Sequence, residues 1–267
     1  MKIDKITNKE YHARSEVSCS NVKAMLKSMK HGLNSMTSES KQTPAMLQGT
    51  VVHSLVLEPE TFIDEYAIKE SIPKKPTSAQ LNAKKITATT ASQINAYNSW
   101  LQENGDKTII TKEQFDIAKN IDMSIKSHKL ANELLSGGSA EESFISEIKG
   151  VPVKARADYI KGNHIIDLKT ASDASPEGFL KAVLNFRYDI QTAFYLDVIQ
   201  AERFTFVVCE TSAPYAVGVY ELEPKWVEYA RNVYKNTLAD WKGCVEMEHF
   251  TGYVNSVLSL EMPRWFQ

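Results

Sequence analysis

Asp167-Leu168-Lys169 is the tripeptide of this chain best suited to chemistry. It closes a run, His164 to Leu168, that reads as a short strand. Strand residues two apart face the same side, so Asp167 and Lys169 point together while apolar Leu168 points into the core. Asp158 lies at the end of the preceding strand, and a turn at Lys161-Gly162-Asn163 folds that strand alongside. Two carboxylates and an ammonium then meet at one sheet edge. Glu141 or Glu142 opens the strand before that and offers a third carboxylate. Clustered carboxylates resist ionising unless a cation sits between them. Hard oxygen donors of this kind select Mg²⁺ or Mn²⁺. Such a metal activates water and neutralises charge on a phosphoryl group. The lysine orients the attacking water or stabilises the pentavalent transition state.

Asp-x-Lys alone is common on surface strands, so other residues must support the reading. Gly49 and His53 are four apart on a helix that begins at Pro44, hence on one face. Gly49 allows close backbone approach, and His53 can ligate a metal, although a lone helix histidine is more often simply buried. Gln191 and Tyr195 repeat that spacing after Lys169; by themselves they form a polar stripe. Arg156, two residues before Asp158, shares its strand face and suits either a phosphate or a neighbouring carboxylate.

The elements that position these residues follow from periodicity. Val22, Met25, Leu26 and Met29 mark a first helix, capped by Ser18 or Ser20 and ended by His31-Gly32. The Pro44 helix carries Met46, Leu47, Val51, Val52, Leu55 and Val56 and stops at Pro59. Residues 69–92 are rich in Lys, Thr, Ser, Pro and Ala and read as a loop. Helices follow over 93–104 and 112–135, the second ended by Gly137-Gly138. The period then changes. Strands are predicted at Phe144 to Ile148, Val151 to Ile160 and His164 to Leu168, then a helix over 177–200. Phe204 to Glu210 and Ala216 to Glu221 form two further strands, and Pro224 opens a last helix to about Trp241. The order predicts an α/β fold with a mixed sheet, preceded by a helical region.

Composition bounds the function. The chain has 267 residues, 43% hydrophobic and 24% charged, which excludes wholesale disorder, collagen and a coiled-coil rod. Net charge is −2, which argues against coating nucleic acid by bulk charge. The charge is uneven, however. Residues 1–41 carry net +4, residues 42–68 net −4, residues 69–85 net +4 and the remainder net −6. Lys23, Lys27 and Lys30 on the first helix, and Lys74, Lys75, Lys84 and Lys85 in the basic loop, are candidate contacts to a phosphate backbone. Cys19, Cys209 and Cys244 form no CxxC pair, which argues against a disulfide framework or a thiolate metal site. No apolar leader or 18-residue apolar span is present, so a reduced, cytoplasmic setting is expected.

Taken in order, Gly49-x-x-x-His53, Glu141, Asp158, Asp167-x-Lys169 and Gln191-x-x-x-Tyr195 resemble the RecB-type branch of the PD-(D/E)xK nucleases. The resemblance is closer still to the RecE-type exonucleases (exonuclease VIII) of phages and prophages. It is carried by residues 49–60, by residues 166–179 and by residues 187–197. Pro214-Tyr215-Ala216-Val217 and Met262-Pro263-Arg264-Trp265 add to it, and it covers residues 18–267. Ala157 stands where the superfamily's name has proline, and Asp167 where it has Glu in ExK; neither change removes a carboxylate.

The resemblance implies a restriction-endonuclease-like core: a central mixed β-sheet flanked by helices, with an N-terminal helical region. It implies one nuclease domain over 1–267, helical over 1–140 with the basic loop 69–92, and catalytic over 141–267. It implies that Asp158, Asp167, His53 and the backbone of Leu168 hold Mg²⁺, with Mn²⁺ as a substitute. Lys169 handles the water, Glu141 is the first acidic residue, and Gln191 and Tyr195 position DNA or support the site. Beside these, Arg156, Arg187 and the loop lysines Lys74, Lys75, Lys84 and Lys85 are candidate DNA contacts. The implied activity is a 5′→3′ digestion of one strand of linear duplex DNA, leaving a 3′ tail for strand annealing. Implied partners are duplex ends, a RecT-like single-strand annealing protein and further copies of the chain, as a ring-shaped tetramer, in a bacterial host cell. Three cysteines are one too few for the superfamily's iron–sulfur branch. The alternatives are a single-strand- or structure-specific nuclease and a noncatalytic DNA-binding protein on the same fold.

Overall fold

The computed structural model describes residues 1–3, 5–38, 42–83 and 85–263. Lys84 and the closing Arg264-Trp265 lie outside the described residues.

The N-terminal part is built from short capped helices. Thr7 caps α1 (Asn8–Ala13), and a two-residue strand β1 (Val17–Ser18) leads into α2 (Cys19–Met25). Ser18 is the cap of α2: its hydroxyl accepts the Asn21 N–H, and Asn21 accepts in return. His31-Gly32 does not end this helix, contrary to the expectation. The chain breaks earlier, and Ser28 caps a new helix α3 (Met29–Thr37). Gly32 lies inside α3, where a Cβ would collide with Met25 Cγ, so the glycine serves close helix packing.

Thr43 caps α4 (Pro44–Leu57), which starts with the predicted proline. Next come α5 (Phe62–Glu65) and β2 (Tyr66–Ile68). The stretch 69–92 is more ordered than a loop. It holds a 3₁₀ turn, Lys69–Ser71, then α6 (Ser78–Leu81) and the start of α7 (Ala88–Asn104), each helix capped by a threonine whose effect apolar periodicity does not register. Strand β3 (Thr108–Ile110) pairs parallel with β2. The predicted helix 112–135 is two, α8 (Lys112–Ser127) and α9 (Lys129–Leu134), because His128 Nδ1 accepts the Ala131 N–H and restarts the helix.

The sheet strands are β4 (Ser139–Ile148), β5 (Val151–Lys161) and β6 (His164–Ala171). Both β4 and β6 outrun their predicted limits. Polar residues 139–143 pair with β5, and β6 continues past Leu168 along its parallel neighbour β7 (Arg203–Glu210). The helix predicted over 177–200 is split into α10 (Pro176–Phe186) and α11 (Tyr188–Ile199) by Arg187, whose φ of 51° is left-handed. Strand β8 (Val217–Tyr220) and the long α12 (Pro224–Glu246) complete the chain.

The main sheet is six-stranded and mixed, in the order β1-β5-β6-β7-β8 with β4 also on β5. Helices α4 and α8 cover one face, packing Val51, Val52, Ala118 and Ile121 on Ile166, Leu168 and Val207. Helices α2, α11 and α12 cover the other face over Val153 and Ala155, with α10 beside them over Ile165 and Phe206. The fold is thus an α/β core with helices on both faces. Ile166 and Leu168 are both fully buried, and each contributes about 1.5–3 kcal/mol by leaving water. This burial fixes the strand that carries Asp167 and Lys169. Among the described residues, no helix is long and apolar enough to cross a membrane.

Candidate active site

The site lies in a split inside the sheet, not at its outer edge. Strand β4 covers one edge of β5 along its whole length. The other edge carries β6 only from Tyr159 to Lys161 and β1 only at Val153 and Lys154. Between these contacts β5 and β6 diverge. Asp158 fills the opening: its Oδ2 accepts the Leu168 N–H at 2.9 Å, in place of a strand carbonyl.

Leu168 is the hinge of the arrangement. Its carbonyl receives His53 Nε2–H at 2.8 Å, from α4. A carbonyl only accepts, so the proton is on Nε2, and Nδ1 of a neutral ring holds the free lone pair. Nδ1 lies 3.7 Å from Asp158 Oδ2. Glu141 completes the group. The register Ala140↔Tyr159 and Glu142↔Ala157 sets Glu141 opposite Asp158, and its φ of 54° interrupts the regular pleat there. One ligand atom from each of His53, Glu141 and Asp158 lies within 4.8 Å of the others. Glu142 belongs elsewhere, bridging Lys2 at 2.8 Å. The sequence reading left that choice open; the backbone settles which side chain joins the group.

Two half-buried carboxylates side by side are electrostatically unfavourable. Burial and the neighbouring Asp158 push Glu141 up to about 8. A divalent cation would reverse this by stabilising both anions. The donor set fits Mg²⁺ or Mn²⁺, since two hard carboxylates dominate it. Such an ion, when bound, supplies an activated water and charge neutralisation.

Asp167 stands on the other side of the Leu168 peptide. It is 1% exposed. Its Oδ1 accepts from Gln191 Nε2 at 2.7 Å, and its Oδ2 meets the Lys169 ammonium without an ordinary hydrogen bond. Burial raises the Asp167 carboxyl to about 6, and the adjoining Lys169 ammonium opposes that rise. Burial works against the Lys169 ammonium too, but the charges of Asp167 and Asp158 outweigh it and keep its pKa above the ordinary lysine value. Gln191 is oriented by the closely packed α11, of which residues 189–194 are all buried.

The remaining predicted residues fall outside this group. Tyr195 packs edge-on to Phe204, its hydroxyl has no hydrogen-bond partner among the described residues, and burial raises its pKa well above the usual phenol value. Gly49 does not mark a close approach: a Cβ there would lie 3.9 Å from Thr170 Oγ1, an ordinary contact. Arg156 is a clamp rather than a free cation. It donates to Ser143 Oγ at 2.9 Å and the Ile6 carbonyl at 3.0 Å, and stacks 4.4 Å from the Tyr11 ring. Glu141 is 3.9 Å away, a loose ion pair. Arg187 is committed to Asp189 by two hydrogen bonds of 2.9 Å. Lys74, Lys75 and Lys85 are exposed. Sequence reasoning missed Tyr188, whose ring lies 5.2 Å from both the Lys23 and Lys169 ammoniums. The signal was its position three residues before Gln191, on the same helical face.

Residues 18–258 match the family described as PDDEXK-like domain of unknown function (DUF3799). The chain belongs to this family. No curated protein matches it. This member of the family is similar to the crystal structure of a candidate exonuclease from Eubacterium rectale. The TM-score is 0.57 and identity 16%, over 98% of this chain and 97% of that one. At that identity the likeness speaks for the fold alone. A phage-related exonuclease from Haemophilus somnus 129PT overlaps at TM-score 0.34 and 14% identity, over 67% of this chain and 92% of that one, and carries no argument.

Proposed function

We propose that this protein is a metal-dependent deoxyribonuclease that hydrolyses phosphodiester bonds. The observation that carries this reading is the convergence of His53, Glu141 and Asp158 on one side of the Leu168 peptide, with the Asp167–Lys169 pair on the other. A cation held by the first group would supply charge neutralisation, and Lys169, next to Leu168 on β6, would supply an ammonium. An attacking water and a phosphoryl oxygen both need such a setting. Membership of a PDDEXK-like family supports the same chemistry.

Within that reading we take the substrate to be linear duplex DNA, cut 5′→3′ from an end to leave a 3′ tail. The RecE-like motifs at residues 49–60, 166–179 and 187–197 support this. The same resemblance supports a ring-like homo-oligomer, a strand-annealing partner and action in the bacterial cytoplasm. Binding would rest on local basic segments, since the net charge is −2. Digestion of duplex labelled at the 5′ or the 3′ end, beside nicked circle and single strand, tests the proposal. The expected result is release of the 5′ label first, from linear duplex only. Equal digestion of a circular single strand would favour the structure-specific alternative.

A further inference from the structure

One lysine stands beside the proposed reaction centre with no ion-pair partner among the described residues. Lys23, on α2, is half-buried. Its ammonium lies 3.5 Å from Gln191 Oε1 and 5.2 Å from the centre of the Tyr188 ring. Lys169 lies at the same 5.2 Å from that ring. Two ammoniums therefore share one aromatic side chain. Lys169 has Asp167 as its partner, whereas Lys23 pairs with no carboxylate among the described residues.

The Gln191 amide connects the two. Its NH₂ donates to Asp167 and its oxygen receives Lys23, so its orientation is determined at both ends. Lys27 and Lys30, on the same stretch, are exposed and solvated. Lys23 differs from them: burial, opposed in part by neighbouring anions, holds its pKa below the ordinary lysine value. A desolvated cation without a counter-charge lowers the stability of the free protein. Such a cost is expected where a ligand anion supplies the missing charge.

Building on the nuclease reading, we propose that Lys23 binds a non-bridging oxygen of the DNA phosphate presented to the Asp158–Asp167 centre. Gln191 holds the ammonium in place, and Tyr188 backs it together with Lys169. Lys23 would then contact the substrate directly, from a helix outside the β5–β6 strands that carry Asp158, Asp167 and Lys169.

The test compares wild type with Lys23→Met, which keeps the stem and removes the charge, and Lys23→Arg, which keeps the charge. Cleavage of linear duplex in Mn²⁺ should fall about 10- to 100-fold in kcat/KM for Lys23→Met, the loss of one charge-assisted hydrogen bond. Lys23→Arg should recover most of it. Mn²⁺ affinity by calorimetry should stay at the wild-type value. The melting temperature of Lys23→Met should be equal or higher, which a merely structural lysine would not give. Wild-type cleavage by Lys23→Met overturns the proposal, as does an activity loss that follows a lower melting temperature. If wild type cleaves no DNA, the nuclease reading fails by itself. Duplex binding in Ca²⁺ by fluorescence anisotropy then decides on Lys23: weaker binding by Lys23→Met supports the phosphate contact, and unchanged binding removes it.

Discussion

The two sides of the Leu168 peptide differ in one respect. On the Asp167 side the carboxylate has its partners inside the chain: Lys169 meets one oxygen and Gln191 donates to the other. On the Asp158 side the chain sets a second carboxylate, Glu141, against the first and adds a histidine whose lone pair turns toward them. The Asp167 carboxylate is balanced by the folded chain. The Asp158–Glu141 pair would gain its balance from a bound cation. The comparison teaches where the polypeptide supplies charge balance and where it leaves that to a ligand.

Breaking the cation side should have the largest effect. Asp158→Ala removes a carboxylate and the acceptor of the Leu168 N–H. It should abolish Mn²⁺ binding in calorimetry and lower DNA cleavage by about 10³-fold. Breaking the other side should separate chemistry from binding. Lys169→Met leaves Asp167 buried and unpaired. It should cost about 3 kcal/mol in urea unfolding, with Mn²⁺ binding retained and cleavage lost. Adding Asp167→Asn should return part of that stability, which a double-mutant cycle measures.

The next effect is a pH dependence confined to the cation side. Glu141 is raised from 4.5 to about 8 in the folded chain. Its contribution to metal-free stability is therefore full below about 4.5 and lost as pH rises through about 8. The metal-free melting temperature should fall over that window. Mn²⁺ binding at pH 7 should release protons, and its affinity should rise with pH. Glu141→Gln should flatten both trends. Smaller still, Arg156→Ala should destabilise by about 2 kcal/mol through lost clamp contacts, yet leave the salt dependence of DNA binding unchanged. Lys74→Ala should do the reverse, lowering the salt slope by about one without changing the melting temperature.

Much of the Asp167 side was legible in the sequence because it obeys simple periods. Asp167 and Lys169 are two apart on a strand, and Gln191 follows on a helix whose apolar face is plain. The cation side was less legible. Glu141 joins it through a left-handed backbone angle, which no pattern of residue types announces. The opening that Asp158 fills depends on β1, two residues long and far away in the chain. Read from sequence, Arg156 suits a phosphate or a neighbouring carboxylate, and its partners in residues 6–8 stay hidden because that segment shows no strong pattern. Boundaries erred where one residue redirects a helix, His128 through its ring nitrogen and Arg187 through its left-handed backbone. The overall alternation of helix and strand survived these errors, since buried rows such as Ile166 and Leu168 dominate it.

The central claim is that the protein cuts DNA with a cation held by His53, Glu141 and Asp158. Timed digestion of end-labelled linear duplex, with Mg²⁺ or Mn²⁺ and with excess chelator, tests it most directly. The account predicts progressive shortening with either metal and none with chelator. Undiminished cutting in chelator, or intact DNA with both metals, would contradict it.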